Sequence, residues 1–338
     1  MKRPIALFLL SLGLGLGGLY LATRESVLSS ATYAAASPTT GLVLLAVFCF
    51  AILWLVPVIK IRLLGRAQGE KIGNWTAFTA HVGQVFGAAM TPSGTGGGPA
   101  FVLALERGGV KVGTSVGMAL QLFVLDLAAL GVLIPVGLLY IVLLSPLALP
   151  TSTSYLAALA ALLALVLAVL LSRFPGGLYR LLVAASKWRL LRRFQDRLGR
   201  VAREFYVSSV AFRDMPLSTS LALYFTNLCA WLANFALLWA LLGIYGAEAR
   251  LLDVLAVLSI ITLIAFFFPT PGASGFTELM VGLAIDGSAG STSIAAPVAL
   301  WRGATFYIVY LIGPLIAWLL LVKRPPAWLK RRGGAKGT

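Results

Sequence analysis

The sequence predicts an all-α polytopic membrane protein, a bundle of six full spans plus two oppositely oriented re-entrant hairpins, eight membrane segments in all. Three observations carry this. Of 338 residues, 59% are hydrophobic and only 11% charged, less than half of the ~25% charged residues usual in soluble domains. The apolar residues are gathered into long runs, at 42–59, 114–144, 155–172, 217–242, 251–268 and 295–322, each near or above the ~18–20 residues that cross a bilayer as helix. Two further stretches are apolar but interrupted by clusters of glycine and proline.

The chain starts with Met1-Lys2-Arg3 and an apolar stretch at 5–20, a pattern shared by signal peptides. Because more apolar runs follow, and because Gly13, Gly15, Gly17 and Gly18 form a small-residue packing face, this reads as an uncleaved first helix. Lys60, Arg62, Arg66 and Lys71 follow the second apolar run, and the chain closes with Lys323, Arg324, Lys330, Arg331, Arg332 and Lys336. Counted by the positive-inside rule, these place both termini in the cytoplasm of a prokaryotic inner membrane.

The first interrupted stretch spans 75–110. Its sixteen-residue opening piece, 75–90, would be about 24 Å long, short of the ~30 Å hydrocarbon core. It runs into Thr91-Pro92-Ser93-Gly94-Thr95-Gly96-Gly97-Gly98-Pro99, through which no helix continues. A short helix at 100–105 then returns to Glu106-Arg107, so the unit enters and leaves on the basic side. The run at 114–144 holds Asp126, the carboxylate deepest in any span by sequence.

Between Arg173 and Arg203 lies the longest polar segment, with Asp196 its only acid. Apolar residues such as Leu181, Trp188, Leu191, Phe194, Leu198, Val201 and Phe205 recur there at helical spacing, with arginines elsewhere around the wheel. This predicts a basic amphipathic helix over 178–212 that lies on anionic inner-leaflet lipids and joins pseudo-halves 1–172 and 217–322 of a single domain. In the second half, the run at 251–268 breaks at Pro269-Thr270-Pro271-Gly272-Ala273-Ser274-Gly275, and a short apolar piece, 276–285, follows. The two breaks match: Thr91-Pro92-x-x-x-Gly96 recurs as Thr270-Pro271-x-x-x-Gly275. Paired Gly/Pro-interrupted segments, one per half, mark the midplane binding site of many transporters, and irregular backbone at that depth is tolerated only inside protein or beside a wet cavity.

The candidate site residues follow from that placement. Pro92, Gly94, Gly96, Gly97 and Gly98 of the first break, and Pro271, Gly272 and Gly275 of the second, are expected to bind substrate through exposed backbone. Glu106, Asp126 and Glu278 are intramembrane carboxylates, costly enough there to be functional candidates. Arg302, some five to eight residues inside the last span, carries a planar donor fork suited to a lipid phosphate, with an ion pair to Glu278 or Asp286 as the structural alternative. His81 and Gln84, one turn apart, read either as groups that hydrogen-bond a substrate or couple protons, or as a bond to a neighbouring helix, and Ser220, Asn227 and Asn234, at steps of seven, as interhelical packing groups or cavity linings.

Other chemistries are poorly served. One histidine, His81, and two separated cysteines, Cys49 and Cys229, make neither a metal centre nor a disulfide framework. Gly94-Thr95-Gly96-Gly97-Gly98 lacks the Lys-Ser/Thr of a nucleotide-binding loop, and no GxSxG or HExxH occurs. The expectation is a protein that is not an enzyme and uses no cofactor, with no nucleic-acid partner despite the net charge of +16.

The break Thr91–Ala100, followed by Leu105-Glu106-Arg107-Gly108-Gly109-Val110, resembles the first signature of the lysylphosphatidylglycerol synthase transmembrane-region family. Pro269-Thr270-Pro271-Gly272-Ala273-Ser274-Gly275-Phe276-Thr277-Glu278 resembles its Pro-Gly-x-x-Gly-x-x-Glu element, and Leu300-Trp301-Arg302-Gly303-Ala304-Thr305-Phe306-Tyr307 its last-helix arginine motif. The resemblance implies a flippase-like protein that moves an anionic or zwitterionic phospholipid, such as an aminoacylated phosphatidylglycerol, or a polyprenyl-phosphate-linked lipid between leaflets. Glu106 and Arg107 lie in the first of these motifs and Glu278 in the second, and all three are counted as candidate substrate-binding residues. The chain looks like the stand-alone form, without an aminoacyl transferase domain, and it has Pro99 where some relatives place an acid. The alternative is a non-transporting subunit that presents a lipid-linked substrate to a partner glycosyltransferase or aminoacyl transferase. Headgroup, energy coupling and self-association are left open.

Overall fold

A computed structural model describes residues 39–144, 195–286 and 294–322, with isolated positions between 158 and 184. The expected first helix, half of the run at 155–172, and most of the N-terminal part of the basic segment 178–212 lie outside the described residues. Among those described, the elements are α1 (Thr40–Ala67), α2 (Asn74–Ala89), α3 (Gly97–Arg107), α4 (Val112–Leu144), α5 (Gln195–Arg213), α6 (Leu217–Ile244), α7 (Leu251–Phe267), α8 (Phe276–Asp286) and α9 (Ala295–Arg302). A π-helical turn, Gly303–Tyr307, and α10 (Ile308–Val322) follow. All of these elements are helical, as the composition predicts.

Thr40–Ala67, Val112–Leu144, Leu217–Ile244 and Ala296–Trp318 are each long and apolar enough to cross a membrane. Their outer surfaces stay apolar: Leu44, Val47, Phe48, Val136, Leu139, Val142, Leu311 and Leu315 are exposed. In water such a surface would be unfavourable, but facing lipid tails it costs nothing. Inside, one core joins α4, α6 and α7 through Leu130, Ile134, Phe235, Leu238, Leu258 and Ile261. A second joins α1, α2, α3 and the start of α4 through Ile61, Leu64, Ala80, Phe101 and Met118.

The two interrupted stretches fold as matched helix–loop–helix units. Gly/Pro clusters end α2 and α7, and the returning helices α3 and α8 are both 11 residues long. α3 is longer than expected, starting at Gly97 rather than Ala100. The arms of the first unit come very close: a Cβ on Gly96 would lie 2.6 Å from the Gly87 carbonyl oxygen, and one on Gly87 2.5 Å from that of Gly96. At its open end, a Cβ on Gly108 would overlap Thr76. Small residues thus set the spacing of this hairpin at both ends.

Over the second half of the basic segment, Gln195–Arg213 is helical. α5 lies against the start of α4, where Glu204 Oε2 accepts the Gly113 N–H at 2.9 Å. This carboxylate meets the positive end of the α4 dipole. Gln121 Nε2 donates to the Ser208 carbonyl at 3.1 Å, and Ser208 Oγ donates to Gln68 Oε1 at 2.6 Å, tying α5 to both α4 and the end of α1.

Candidate functional site

The two breaks have the same backbone. The residues after Pro92 and Pro271 have left-handed φ: Ser93 51° and Gly94 68° in the first, Gly272 59° and Ala273 51° in the second. Their hydrogen bonds correspond as well. Gly94 N–H donates to the Thr91 carbonyl and Thr95 N–H to Pro92, just as Ala273 donates to Thr270 and Ser274 to Pro271. A non-glycine residue at positive φ is unusual. Ser93 and Ala273 tolerate it inside turns held by neighbouring contacts, of which Ser93 Oγ to the Phe268 carbonyl, 3.2 Å, crosses from one break to the other.

The breaks meet at an antiparallel bridge between Pro92 and Pro271. These are equivalent residues, 179 positions apart, and a two-fold relation between the units brings equivalent residues face to face in this way. Neither proline has an N–H, so the pairing rests on the flanking backbone. Pro135 inside α4 and Pro314 inside α10 share the same separation, extending the correspondence to the helices that follow.

The units differ in how the N–H that opens the returning helix is satisfied. In the second, Gly275 (φ 83°) precedes α8, and its N–H donates to Glu278 Oε2 at 2.8 Å, the reach-back of an N3 glutamate in a capping box. In the first, Pro99 stands at the position of Glu278, and the Gly96 N–H donates to Thr91 Oγ1 at 2.7 Å. A hydroxyl near the turn replaces the missing carboxylate.

Glu278 is fully buried, and its other oxygen carries the charged chemistry. Oε1 accepts Arg302 Nε at 2.7 Å and the Tyr307 hydroxyl at 3.1 Å. Arg302 is 7% exposed, and its guanidinium lies 4.2 Å from the centre of the Phe306 ring. Its Nη2 is buried with no acceptor among the described residues. The ring face supports the cation without satisfying its N–H groups. Arg302 therefore has one side of its fork engaged and the other free, 2.7 Å from a carboxylate that holds it in place.

The π-helical turn makes this cluster. In a regular α-helix, positions five apart sit about 140° apart around the axis. The i→i+5 bonding of a π turn brings them back toward one face, and so Arg302 and Tyr307 reach the same carboxylate. The second break packs on this turn: a Cβ on Gly272 would lie 2.3 Å from the Phe306 ring. Tyr310, one turn further, donates to the Ala89 carbonyl at the end of α2, 3.0 Å. Both breaks thus rest on the last helix.

Of the candidate residues, Pro92, Pro271, Gly272, Gly275, Glu278 and Arg302 come together here. Gly94, Gly96 and Gly97 build the first turn, where a Cβ on Gly97 would lie 2.9 Å from the Gln84 carbonyl; a Cβ on Gly98 would meet open space. Glu106 and Arg107 stand at the far end of α3, nine and ten residues, or about 15 Å, beyond its start. Arg107 has Nε and Nη2 buried without acceptors among the described residues. Asp126 accepts Trp231 Nε1 at 3.0 Å, apart from the Arg302 cluster. Asn234 receives Trp301 Nε1 at 2.9 Å and, with His81, Trp54 and Thr305, lines a cavity of about 120 Å³, so it is both a packing and a lining residue. Asn227 accepts from Lys60.

Sequence reasoning did not single out Phe306, Tyr307 or Tyr310, whose roles depend on the π turn. It also counted Lys60 with the cytoplasmic charges, whereas Lys60 is 9% exposed and buried against α6. The step of seven from Ser220 to Asn227 was the available signal for a polar partner on that face.

Over 312 residues the chain is 24% identical to a UPF0104 membrane protein of Archaeoglobus fulgidus, covering 87% of this chain and 92% of that protein. The lysylphosphatidylglycerol synthase TM region matches residues 6–313, taking in both breaks, Glu278 and the arginine of the last span. The chain is a multi-pass membrane protein that belongs to the lysylphosphatidylglycerol synthase transmembrane-region family.

Proposed function

We propose that this protein moves a phosphate-bearing lipid between leaflets, with Arg302 as the group that receives the phosphate. The observation that carries the reading is the half-engaged guanidinium. Arg302 is buried beside two broken helices, Nε is fixed by Glu278, and Nη2 has no acceptor among the described residues. A buried donor left unpaired is expensive, and an anionic ligand that reaches it recovers that cost. The exposed turn at Pro92 and Ser93 gives a headgroup an approach of irregular backbone rather than closed helix.

In this reading α2–α3 and α7–α8 are re-entrant hairpins entering from opposite leaflets, with the Pro92–Pro271 contact near the midplane. The matched turns, equal returning helices and shared 179-residue separation support an inverted pair. Glu278 holds the arginine while the site is empty and yields one side of it to phosphate during passage. The substrate class is an anionic or zwitterionic phospholipid or a polyprenyl-phosphate-linked lipid. The chain carries out no covalent step, and both termini are cytoplasmic.

The test is exchange of a fluorescent phospholipid in vesicles containing the purified protein. Exchange well above that of protein-free vesicles, and reduced in Arg302→Lys at equal incorporation, supports the reading. Lysine keeps the charge but loses the fork. Exchange no faster than in empty vesicles, for phospholipid and polyprenyl-phosphate probes alike, rejects it and leaves the presenting-subunit role.

A further inference from the structure

The cavity of about 120 Å³ beside Trp301 has polar groups from four elements in its wall: Trp54 of α1, His81 of α2, Asn234 of α6 and Thr305 of the π turn. The rest of the wall is aliphatic. One water needs only ~10–15 Å³ of such space, and cavities of ~150 Å³ admit a molecule as large as benzene. Trp301 links the cavity to the Arg302 site. Its Nε1 donates to Asn234 Oδ1 at 2.9 Å, its carbonyl accepts Thr305 Oγ1 at 2.8 Å, and the Arg302 guanidinium lies 5.9 Å from the centre of its ring.

The polar wall has hydrogen-bonding capacity to spare. His81 meets the edge of the Trp54 ring, 6.0 Å between centres, but neither imidazole nitrogen has a hydrogen-bond partner among the described residues. Asn234 uses Oδ1 on Trp301 and has no acceptor there for Nδ2. Trp54 Nε1 has none among the described residues either. The other half of the molecule closes the equivalent place. α6 begins 177 residues after α1 and both are 28 residues long, so Trp54 and Trp231 hold the same position in them. Thr305 follows Asp126 by 179 residues, the separation of Pro135 from Pro314. Trp231 Nε1 donates to Asp126 at 3.0 Å, whereas Trp54 and Thr305 both line the cavity and share no hydrogen bond. A short hydroxyl where the other half has a carboxylate leaves room for an oxygen supplied from outside the chain.

The chemistry of that wall is mixed and largely neutral. Indole and carboxamide N–H groups donate, the threonine hydroxyl has free lone pairs, and a neutral imidazole does both. The wall holds no carboxylate to pair an ammonium headgroup and no lysine or arginine to pair a second anion. Hydroxyl groups, which donate and accept at once, match it. We propose that this cavity binds the hydroxyls of a short neutral polyol headgroup, next to the phosphate held by Arg302. The pairing with phosphate rests on the lipid reading above, whereas the polyol site can be measured without it.

The test titrates the thermal midpoint of the purified full chain with three short-chain lipids. Phosphatidylglycerol carries phosphate and polyol, phosphatidylmethanol has the same phosphodiester charge without hydroxyls, and a monoacylglycerol has the polyol without phosphate. Wild type should bind phosphatidylglycerol about tenfold more tightly than phosphatidylmethanol, the gain expected from one or two net hydrogen bonds. His81→Leu removes both ring nitrogens and Thr305→Val the hydroxyl, and each should bring that ratio toward one through weaker binding of phosphatidylglycerol. A loss of packing alone would weaken both phospholipids together and leave the ratio. Thr305→Val keeps the comparison available should His81→Leu fail to fold. Equal binding of the two phospholipids by wild type, or a ratio that neither variant lowers, would overturn the polyol site. If neither phospholipid binds, the phosphate reading falls and the monoacylglycerol decides: a midpoint raised in wild type and not in the variants supports the site, and the same response in all three overturns it.

Discussion

Pro92 and Pro271 face each other across an antiparallel bridge, although 179 residues separate them and neither can donate a hydrogen bond. The contact joins the tips of two helix–loop–helix units that share their turn geometry. If the tips are in register, cysteines at these positions lie within disulfide range, since directly opposed antiparallel residues have Cα atoms about 4.5–5.5 Å apart. In a background lacking Cys49 and Cys229, Pro92→Cys with Pro271→Cys should form a disulfide under mild oxidation, detected by mass spectrometry of the linked peptides. Recovery of unlinked peptides alone would contradict the contact.

The glycines of the first break differ in what they do. Gly96→Ala would press a methyl against the Gly87 carbonyl and Thr91 and should destabilise by about 1–3 kcal/mol. Gly98 sits inside α3 with open space beside it, so Gly98→Ala should be neutral or stabilise by up to about 1 kcal/mol. Thermal denaturation of the two purified variants separates them. The same comparison holds in the second break, where Gly275 needs φ 83°, and Gly275→Leu should be far less stable than wild type.

Docking of the amphipathic helix depends on Glu204. Its carboxylate takes the Gly113 N–H at the start of α4, so Glu204→Ala leaves that donor unpaired and should cost about 1–2 kcal/mol. Glu204→Gln keeps an acceptor and should recover most of the loss. Equal midpoints for wild type and Glu204→Ala would show that α5 is held by apolar contacts such as Phe205 alone.

The basic ends of the chain should face the cytoplasm. In the same cysteine-free background, Lys336→Cys should resist an impermeant thiol reagent applied to intact cells and react after lysis. Labelling in intact cells would reverse the orientation.

Much of this architecture is legible in the sequence because the signals are one-dimensional. Apolar runs give the spans Thr40–Ala67, Val112–Leu144 and Leu217–Ile244, and Gly/Pro clusters give the two breaks. The repeat of Thr-Pro-x-x-x-Gly marks equivalent turns before any coordinate is seen. Arg302 with Glu278 is legible as a pair of rare intramembrane charges. The rest depends on three-dimensional context. Tyr307 joins the cluster only because the helix loosens to a π turn after Arg302. Lys60 sits at the end of an apolar run, where positive charge is ordinary, and its burial comes from the packing of α1 on α6, where Asn227 accepts from it. Asp126 lies deep in its span, but depth does not tell which cluster it joins.

The central claim is that Arg302 receives a phosphate rather than serving only as the partner of Glu278. Removing one member of a buried pair costs about 3–5 kcal/mol, so a single variant that loses activity cannot separate these roles. The double variant Arg302→Gln with Glu278→Gln removes both charges and should regain much of the stability lost by Arg302→Gln. The decisive measurement is phospholipid exchange in vesicles by that double variant, with its thermal midpoint as control. If Arg302 receives the phosphate, the double variant is close to wild type in stability while its exchange stays at the level of Arg302→Gln. Full exchange by the double variant would contradict it and leave Arg302 and Glu278 as scaffolding.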